Sequence, residues 1–202
     1  MKRLLLLFLF ISCMPAAFAQ FEKWEIHQAY QNTEQVEETN NHVFALADSS
    51  LYIYGKEDQS MITYSRKNGL SDNKIKVIRY HASSHTLVIA YRNGNIDLLG
   101  DEGLYNLPFL KNSTSIQNKT LNDIYFYQDY AYLSFETGIV VIHVKKKEIT
   151  DTYKIGAVRS TCILNGYLYA LTDKGIKRGK TDSNLLDIGN WSDYNLETDL
   201  FK

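Results

Sequence analysis

Two histidines and one group of oxygen-bearing side chains have the residue types and close spacing that metal sites use. His81 and His85 lie four residues apart, which on a helix would place both imidazoles on one face as metal ligands. The surrounding sequence is instead that of a hairpin turn, with no cysteine or carboxylate beside it. Asp187, Asn190 and Asp193 do not follow the spacing of a calcium-binding loop. We therefore predict no metal ion and no other cofactor.

The other reactive side chains show no arrangement typical of catalysis. The sequence contains no nucleophile motif, phosphate-binding loop or dinucleotide fingerprint, and no pair of carboxylates is singled out for glycoside hydrolysis. Cys162 lies in the apolar run 161–164, so we predict that it is a small buried residue. The basic run 145–147 is predicted to be a solvated hairpin turn. These features favour a protein that is not an enzyme.

A repeated pattern indicates the elements that position these residues. Each copy has a short apolar run, a polar pair, a turn residue and a second extended run, and the copies lie at 44–52, 88–96, 132–140 and 169–177. Their turn positions are Ser50, Gly94, Gly138 and Gly175, separated by 44, 44 and 37 residues. A period of this length in strand-like sequence is typical of β-propeller blades. Ser50 lacks the conformational freedom of glycine, so we expect the first hairpin to use a different turn or a bulge.

The repeat divides into four strands for each blade. The predicted innermost strands are 74–81, 121–128 and 158–165, and 31–41 holds the first of them. The second strands are 43–47, 87–91, 131–135 and 168–172. The third strands are 51–54, 95–99, 139–144 and 176–179. The fourth strands are 61–65, 103–107, 148–155 and 185–191. The fold class is therefore all-β, a propeller of about four four-stranded antiparallel blades.

The first nineteen residues have the pattern of an export signal. Lys2 and Arg3 precede an apolar run, and the small-residue site ending at Ala19 predicts cleavage before Gln20. The alternative is a lipoprotein signal, in which Cys13 becomes the acylated first residue of the mature chain. The apolar run is too short for a permanent membrane span. We thus predict a signal peptide at 1–19 and a mature chain at 20–202, exported to the periplasm or cell surface.

The mature chain is nearly neutral and has no basic stripe. Removal of the signal leaves 20 Lys and Arg against 23 Asp and Glu, which excludes nucleic acid as an expected partner.

Residues 24–29 are a candidate closing strand for the ring. Four blades are the lower limit for a closed propeller, so the sequence predicts a partial, truncated propeller whose remaining blades are missing. Its open faces are expected to cause aggregation or pairing.

The segments at 64–73 and 87–96 resemble the two-component-regulator-type propeller repeats of Bacteroidetes envelope proteins, in which an Asn-Gly-Leu-Ser turn leads into the next blade. The stretch 24–191 is similar to the N-terminal propeller of PorZ-type proteins, most closely at 94–99, 138–153 and 172–176. That resemblance implies an exported accessory component of the type IX secretion machinery. It also implies a larger protein, with two propellers and a small C-terminal β-domain, that acts in a surface attachment complex.

The turn that carries the resemblance has a structural interpretation of its own. Asn68 and Gly69 supply a turn with positive φ, and Ser71 or Asp72 is expected to bond the backbone two residues on. We favour this role over ligand binding.

Propellers bind partners through loops of several blades around the channel mouth. In the predicted topology, the turns from second to third strands and the blade-to-blade crossings share one end. The candidate binding residues at that end are Arg66, Lys67, Asp72, Arg92, Asn93, Glu136, Asp173 and Lys174. Their mixed charge favours an envelope protein or a surface glycan as partner. The sequence thus predicts a non-catalytic interaction module; the periplasmic sensor propeller of a hybrid two-component system is the alternative, and a propeller-type hydrolase or lyase is third.

Overall fold

The computed structural model describes residues 32–114 and 116–195, and the strands in these ranges form four antiparallel sheets. Each sheet has four strands that pair in chain order, so each is one blade of a propeller. This confirms the predicted all-β class and the partial propeller of four blades. The predicted signal peptide, Cys13 and the candidate closing strand at 24–29 lie outside the described residues.

The strand bounds follow the predicted repeat closely. Blade 1 contains β1 (Thr33–Glu38), β2 (His42–Ala47), β3 (Ser50–Gly55) and β4 (Met61–Tyr64). Blade 2 contains β5 (Ile75–His81), β6 (Thr86–Tyr91), β7 (Ile96–Gly100) and β8 (Gly103–Leu107). Blade 3 contains β9 (Leu121–Tyr127), β10 (Tyr130–Phe135), β11 (Gly138–His143) and β12 (Glu148–Tyr153). Blade 4 contains β13 (Val158–Leu164), β14 (Tyr167–Thr172), β15 (Gly175–Lys180) and β16 (Trp191–Tyr194).

Short helical segments interrupt the loops. A four-residue helix, α1 (Phe109–Asn112), follows Pro108 after blade 2. Single turns of 3₁₀ helix lie at Arg66–Asn68, Ala82–Ser84 and Ile188–Asn190. The repeat pattern predicted none of them, because each is shorter than the window over which a helical period shows.

The fourth strand of blade 4 was placed wrongly by the repeat pattern. It was predicted at 185–191 but begins at Trp191. The Asp187 side chain accepts a hydrogen bond from the Gly189 N–H and so starts the 3₁₀ turn before the strand. Leu185 is nevertheless buried, and its carbonyl accepts a hydrogen bond from Trp191 Nε1. The apolar residue that suggested a strand therefore packs from a loop.

The first hairpin uses a different turn from the others, as predicted from Ser50. Asp48 and Ser49 have φ of 48° and 62°, and Ala47 pairs with Ser50. Two consecutive residues with positive φ are typical of a type I′ turn, in which the short polar side chains of Asp and Ser are tolerated.

The hydrophobic core lies between the blades rather than within them. One cluster joins blades 1 and 2 through residues such as Leu46 and Ile78, a second joins blades 2 and 3, and a third joins blades 3 and 4. All six residues of β6 are buried, as predicted for a second strand between two neighbours. Each large apolar side chain buried in this way contributes about 1.5–3 kcal/mol, so blade stacking is the main source of stability.

Cys162 is exposed, and the prediction that it is buried is wrong. It alternates along β13 with Thr161, which is buried, and it pairs with Tyr169 of β14. Leu164 and Leu171, on the same face, are 59% and 45% exposed. On blades 1 to 3 the corresponding face packs against the next blade, and no further blade among the described residues covers it on blade 4.

Candidate functional site

One end of the blade arc carries the turns at 48–49, 92–95, 136–137 and 173–174 together with the loops that cross between blades; we call it the crossing end. In the first three blades the turn is tied to the residue that precedes the inner strand. The bonds run from Asp48 N–H to the Asn32 carbonyl, from Arg92 N–H to the Lys74 carbonyl and from Glu136 N–H to the Thr120 carbonyl. These bonds confirm the prediction that turns and crossings share one end.

Asp72 and Asn93, two of the predicted surface residues, are joined at the step from blade 1 to blade 2. Asn93 Nδ2 donates to Asp72 Oδ2 at 2.6 Å, and Lys111 Nζ of α1 donates to the same oxygen at 2.7 Å. Asp72 does not make the predicted bond two residues on, because its Oδ1 accepts from the N–H of the next residue, Asn73, at 2.9 Å. Burial opposes ionisation of Asp72, but these donors outweigh it and lower its pKa to about 2.

We expect this cluster to make stability depend on pH in acid. The pKa of Asp72 in the folded chain, about 2, lies below its ordinary value of 3.8. Its contribution is therefore complete above about pH 4 and is lost as the pH falls through about 2. Because the Lys111 side chain is 41% exposed, screening reduces the contribution to about 1 kcal/mol.

The measurement is urea unfolding of wild type and Asp72→Asn at about pH 7 and about pH 2.5. The variant should be less stable by about 1 kcal/mol at the higher pH, and the difference should shrink at the lower. Asp101→Asn, an exposed carboxylate at the opposite end of blade 2, is the control. An Asp72→Asn difference that is equal at both pH values contradicts the expectation.

Glu136 and Asp173, two further predicted residues, are bridged by an arginine from the inner strand of blade 4. Arg159 Nη1 lies 2.8 Å from Glu136 Oε1, and Arg159 Nε lies 2.9 Å from Asp173 Oδ1. Asn122 Nδ2 donates both to Glu136 Oε1 and to the Val158 carbonyl. The hydrogen bond and charge of Asp173, followed by the charge of Glu136, raise the pKa of Arg159. This cluster therefore joins blades 3 and 4 at the crossing end.

The remaining predicted residues are exposed cations. Arg66 and Lys67 lie on the 3₁₀ turn that Ser65 caps, and neither belongs to the two clusters described above. Arg92 and Lys174 lie in the hairpin turns of blades 2 and 4. The crossing end thus has two clusters whose carboxylates are paired with Lys111 and Arg159. Beside them lie four further cationic side chains, which are exposed.

Three residues of these clusters, Lys111, Asn122 and Arg159, were not predicted from the sequence. Lys111 lies 39 residues from Asp72, so no local pattern connects them. Arg159 and Asn122 are each the second residue of an inner strand, and both contact Glu136. Aligning the inner strands of the repeat would have placed them together.

The inner strands are also joined along the channel wall. Arg79 of β5 lies 3.1 Å from Glu37 of β1 and 3.5 Å from Asp123 of β9. Gln35 uses its side-chain amide to pair with both the N–H and the carbonyl of Ile78. The channel wall, like the crossing end, is polar and mixed in charge, which suits contacts to hydrogen-bonding partners.

The residues considered for metal binding have structural partners. His81 Nδ1 lies 2.6 Å from Ser84 Oγ, and His81 Nε2 lies 2.7 Å from the Gln128 carbonyl, so the buried ring joins blades 2 and 3. Asn190 donates to the Asn184 carbonyl, and Asp193 pairs with Lys177. Within 32–114 and 116–195, no group of three His, Cys, Asp or Glu side chains is arranged to hold a metal ion.

None of the helices in the described residues is long and apolar enough to cross a bilayer.

The match to a known family covers most of the chain. The family model described as the N-terminal β-propeller domain of PorZ of the type IX secretion system matches residues 43–192. The solved structure of PorZ, an essential bacterial surface component of that system in Porphyromonas gingivalis, is 34% identical with a TM-score of 0.78. The alignment covers 83% of this chain but 23% of that one, so the chain spans about a quarter of its length.

More distant structures share the fold alone. Two structures of the extracellular domain of BT4673 from B. thetaiotaomicron, described as a one-component and as a hybrid two-component system, are 15% and 16% identical with TM-scores of 0.61 and 0.62. They cover 80% and 87% of this chain, and 23% and 24% of those chains. Apo AztD from Citrobacter koseri is 11% identical with a TM-score of 0.55, covering 74% of this chain and 44% of that one. The comparison with curated proteins gave no match.

Four blades in the predicted order, a family match over residues 43–192 and 34% identity to a solved relative agree with one another. The chain belongs to the family of PorZ N-terminal β-propeller domains of the type IX secretion system.

Proposed function

We propose that this chain is an exported, non-catalytic interaction module of a type IX secretion accessory protein. Its crossing end binds an envelope protein or a surface glycan. The observation that carries the proposal is the family match together with 34% identity to a bacterial surface component of that system. The signal-like residues 1–19 support export to the periplasm or the cell surface.

The electrostatics of the crossing end support recognition rather than catalysis. Its carboxylates Asp72, Glu136 and Asp173 are held by Lys111 and Arg159. The pKa of Asp72 is lowered to about 2, so this carboxylate is a poor proton donor near neutral pH. The cations Arg66, Arg92 and Lys174 beside these clusters are exposed and can contact anionic or polar partners.

A sensor propeller of a hybrid two-component system is the second candidate. It is supported by the similarity in fold to the extracellular domain of BT4673, at a TM-score of 0.62. The two candidates differ in output, since a sensor changes transcription when it meets its ligand whereas a secretion accessory protein changes the amount of cargo that leaves the cell.

The test is a replacement in the chromosomal gene of the bacterium that encodes the protein. The variant Arg66→Ser, Arg92→Ser, Lys174→Ser removes three exposed cations from the crossing end. We expect the amount of a type IX cargo protein in the culture medium to fall about fivefold or more, because a few residues, with arginine prominent among them, carry most of the binding energy of an interface.

The matched control removes three cations from the opposite end of the blades: Lys145→Ser, Lys146→Ser, Lys180→Ser, all of them more than half exposed. It should leave secretion unchanged while the protein level stays equal. Normal secretion in the crossing-end variant, accompanied by a lost transcriptional response to polysaccharides, would favour the sensor. Release of reducing sugar from polysaccharides by the purified chain would contradict a non-catalytic role.

A further inference from the structure

The outer rim of blade 3 carries a groove that the crossing end does not include. It has a volume of about 490 Å³, and its lining comes from three blades: Leu107 and Phe109 from the end of blade 2, residues 149–152 of β12, and Leu186 from blade 4. The groove follows the free edge of β12, which is the last strand in the order β12-β11-β10-β9.

The walls of the groove are unusually apolar for an exposed rim. Phe109, which follows blade 2, is 55% exposed, and Leu186 of blade 4 is 62% exposed. Leu107 and Ile149 also line the groove; Leu107 is buried, and Ile149 packs against the core between blades 2 and 3. Exposed apolar side chains that converge on one groove mark a binding surface more often than scattered ones do.

No strand among the described residues pairs with the outer edge of β12. A strand at the edge of a sheet presents unpaired N–H and carbonyl groups, and proteins usually protect such edges with lysine, proline or a covering segment. Residues 149–153 read Ile-Thr-Asp-Thr-Tyr and contain neither lysine nor proline. A register shift pairs Ile149 with Ile142 and Asp151 with Val141, which leaves Thr150 as an extra residue. Ile149 packs against the core between blades 2 and 3, whereas Asp151 pairs with Val141, a residue of the core between blades 3 and 4.

Among the described residues, Asp151 is the one charged residue of the groove lining. Its side chain is partly buried, yet it makes no hydrogen bond or ion pair with any residue in the described ranges. The charge of Asp151 also acts on Tyr132. Burial, followed by the charges of Tyr130 and Asp151, raises the pKa of Tyr132 to about 12. A cation that enters the groove can form an ion pair with this carboxylate.

We propose that the free edge of β12 binds an extended peptide segment of a protein partner in which a lysine or arginine lies between apolar residues. The peptide adds a fifth strand to blade 3 through backbone hydrogen bonds. Its cation pairs with Asp151, and its apolar side chains pack on Phe109 and Leu186. This site is separate from the crossing end, and it stands whether or not the proposed secretion role is correct.

Charge complementarity is what selects this occupant. An acidic peptide would bring a second negative charge to Asp151, and a neutral apolar segment would leave the carboxylate buried without a partner. A second copy that added its own β12 would place two Asp151 carboxylates in one sheet, which repel each other. A cationic, otherwise apolar strand satisfies the walls, the edge and the charge together.

The test is a selection from a displayed library of random nine-residue peptides on the full chain and, in parallel, on Asp151→Lys. Peptides selected on wild type should carry Lys or Arg flanked by apolar residues, whereas those selected on Asp151→Lys should carry Asp or Glu at the same position. The best wild-type peptide, made synthetically, should bind Asp151→Asn about tenfold more weakly.

A matched pair of variants maps the site. Leu186→Ser should weaken binding of the synthetic peptide, while Met61→Ser, a residue 63% exposed on blade 1, should not. Backbone amides of 149–153 should become protected from hydrogen exchange when the peptide binds, which confirms strand addition. The proposal is overturned if no sequence is enriched, if the enriched charge is the same for wild type and Asp151→Lys, or if Met61→Ser and Leu186→Ser have equal effects.

Discussion

Replacement of Asp97 with alanine is expected to lower the free energy of unfolding by about 3 kcal/mol or more. Asp97 is fully buried in β7, and its two oxygens accept three hydrogen bonds. Oδ2 accepts from the Tyr91 hydroxyl at 2.5 Å and from the Ser71 N–H at 2.9 Å. Oδ1 accepts from Asn106 Nδ2 at 2.8 Å. Alanine removes all three acceptor contacts and leaves the donors in a space that the side chain no longer fills.

The position of the donors explains why the loss is large. Tyr91 is fully buried, so its hydroxyl cannot turn to water, and burial followed by the bond to Asp97 raises its pKa. Ser71 belongs to the loop that crosses from blade 1 to blade 2, so Asp97 also anchors that loop to the sheet it enters. Each buried donor left without an acceptor costs about 1–3 kcal/mol.

Urea unfolding of three variants apportions the effect. Tyr91→Phe removes one donor together with its need for an acceptor and should cost about 1 kcal/mol. Asp97→Ala should cost less in the Tyr91→Phe background than in wild type, because one orphaned donor is then absent. Asp101→Ala, exposed in the next turn, should stay within about 0.5 kcal/mol of wild type. A loss below about 1 kcal/mol for Asp97→Ala would show that water or rearrangement satisfies the donors.

Asp97 also shows why a sequence of this kind predicts strands better than sites. The hairpin turns recur at nearly constant spacing, and a turn is specified by two or three adjacent residues, so strands such as β6 and β10 could be placed to within a residue or two. The partner that gives Asp97 its role, Ser71, is 26 residues away. In the sequence, Asp97 is one polar residue in an otherwise apolar strand.

The residues of the candidate site also fall into two groups, those that the repeat predicts and those that depend on how the blades stack. Glu136 and Asp173 were predicted because they occupy equivalent turns, which is a property of the repeat. Arg159, which bridges them, comes from an inner strand 23 and 14 residues away, and it depends on the way that blade 4 stacks on blade 3. Cys162 was placed wrongly for a related reason: an apolar run does not show which of its two faces a neighbouring blade covers.

Replacement of Gly138 with alanine is expected to cost about 3 kcal/mol or more, for a reason that the turn alone does not supply. Gly138 is the first residue of β11 and has φ of 143°, a region that side chains rarely adopt. A Cβ built on it would lie 1.9 Å from the Tyr153 carbonyl oxygen and 3.2 Å from Lys154 Cα. Both atoms are backbone, so no rotation of a side chain can relieve the contact. The end of β12 would have to move away from β11.

Gly175 is the matched control, because it opens β15 in blade 4 at the equivalent hairpin position. It has φ of 117°, and a Cβ there would meet no atom within 4 Å. Gly175→Ala should therefore cost only the conformational strain, about 1–2 kcal/mol. Urea unfolding of the two variants separates the two uses of glycine: strain is common to both, and the steric contact with Tyr153 is specific to Gly138.

The difference between Gly138→Ala and Gly175→Ala also shows why glycine is needed at this position of the hairpin. Equal losses for Gly138→Ala and Gly175→Ala would mean that β12 shifts without cost and that the turn alone requires glycine. A larger loss at Gly138 would mean that the third and fourth strands of blade 3 are held together by a backbone approach that only glycine permits. Because β12 is also the edge proposed to receive a peptide, Gly138→Ala should then weaken peptide binding as well, although Gly138 lines no part of the rim groove.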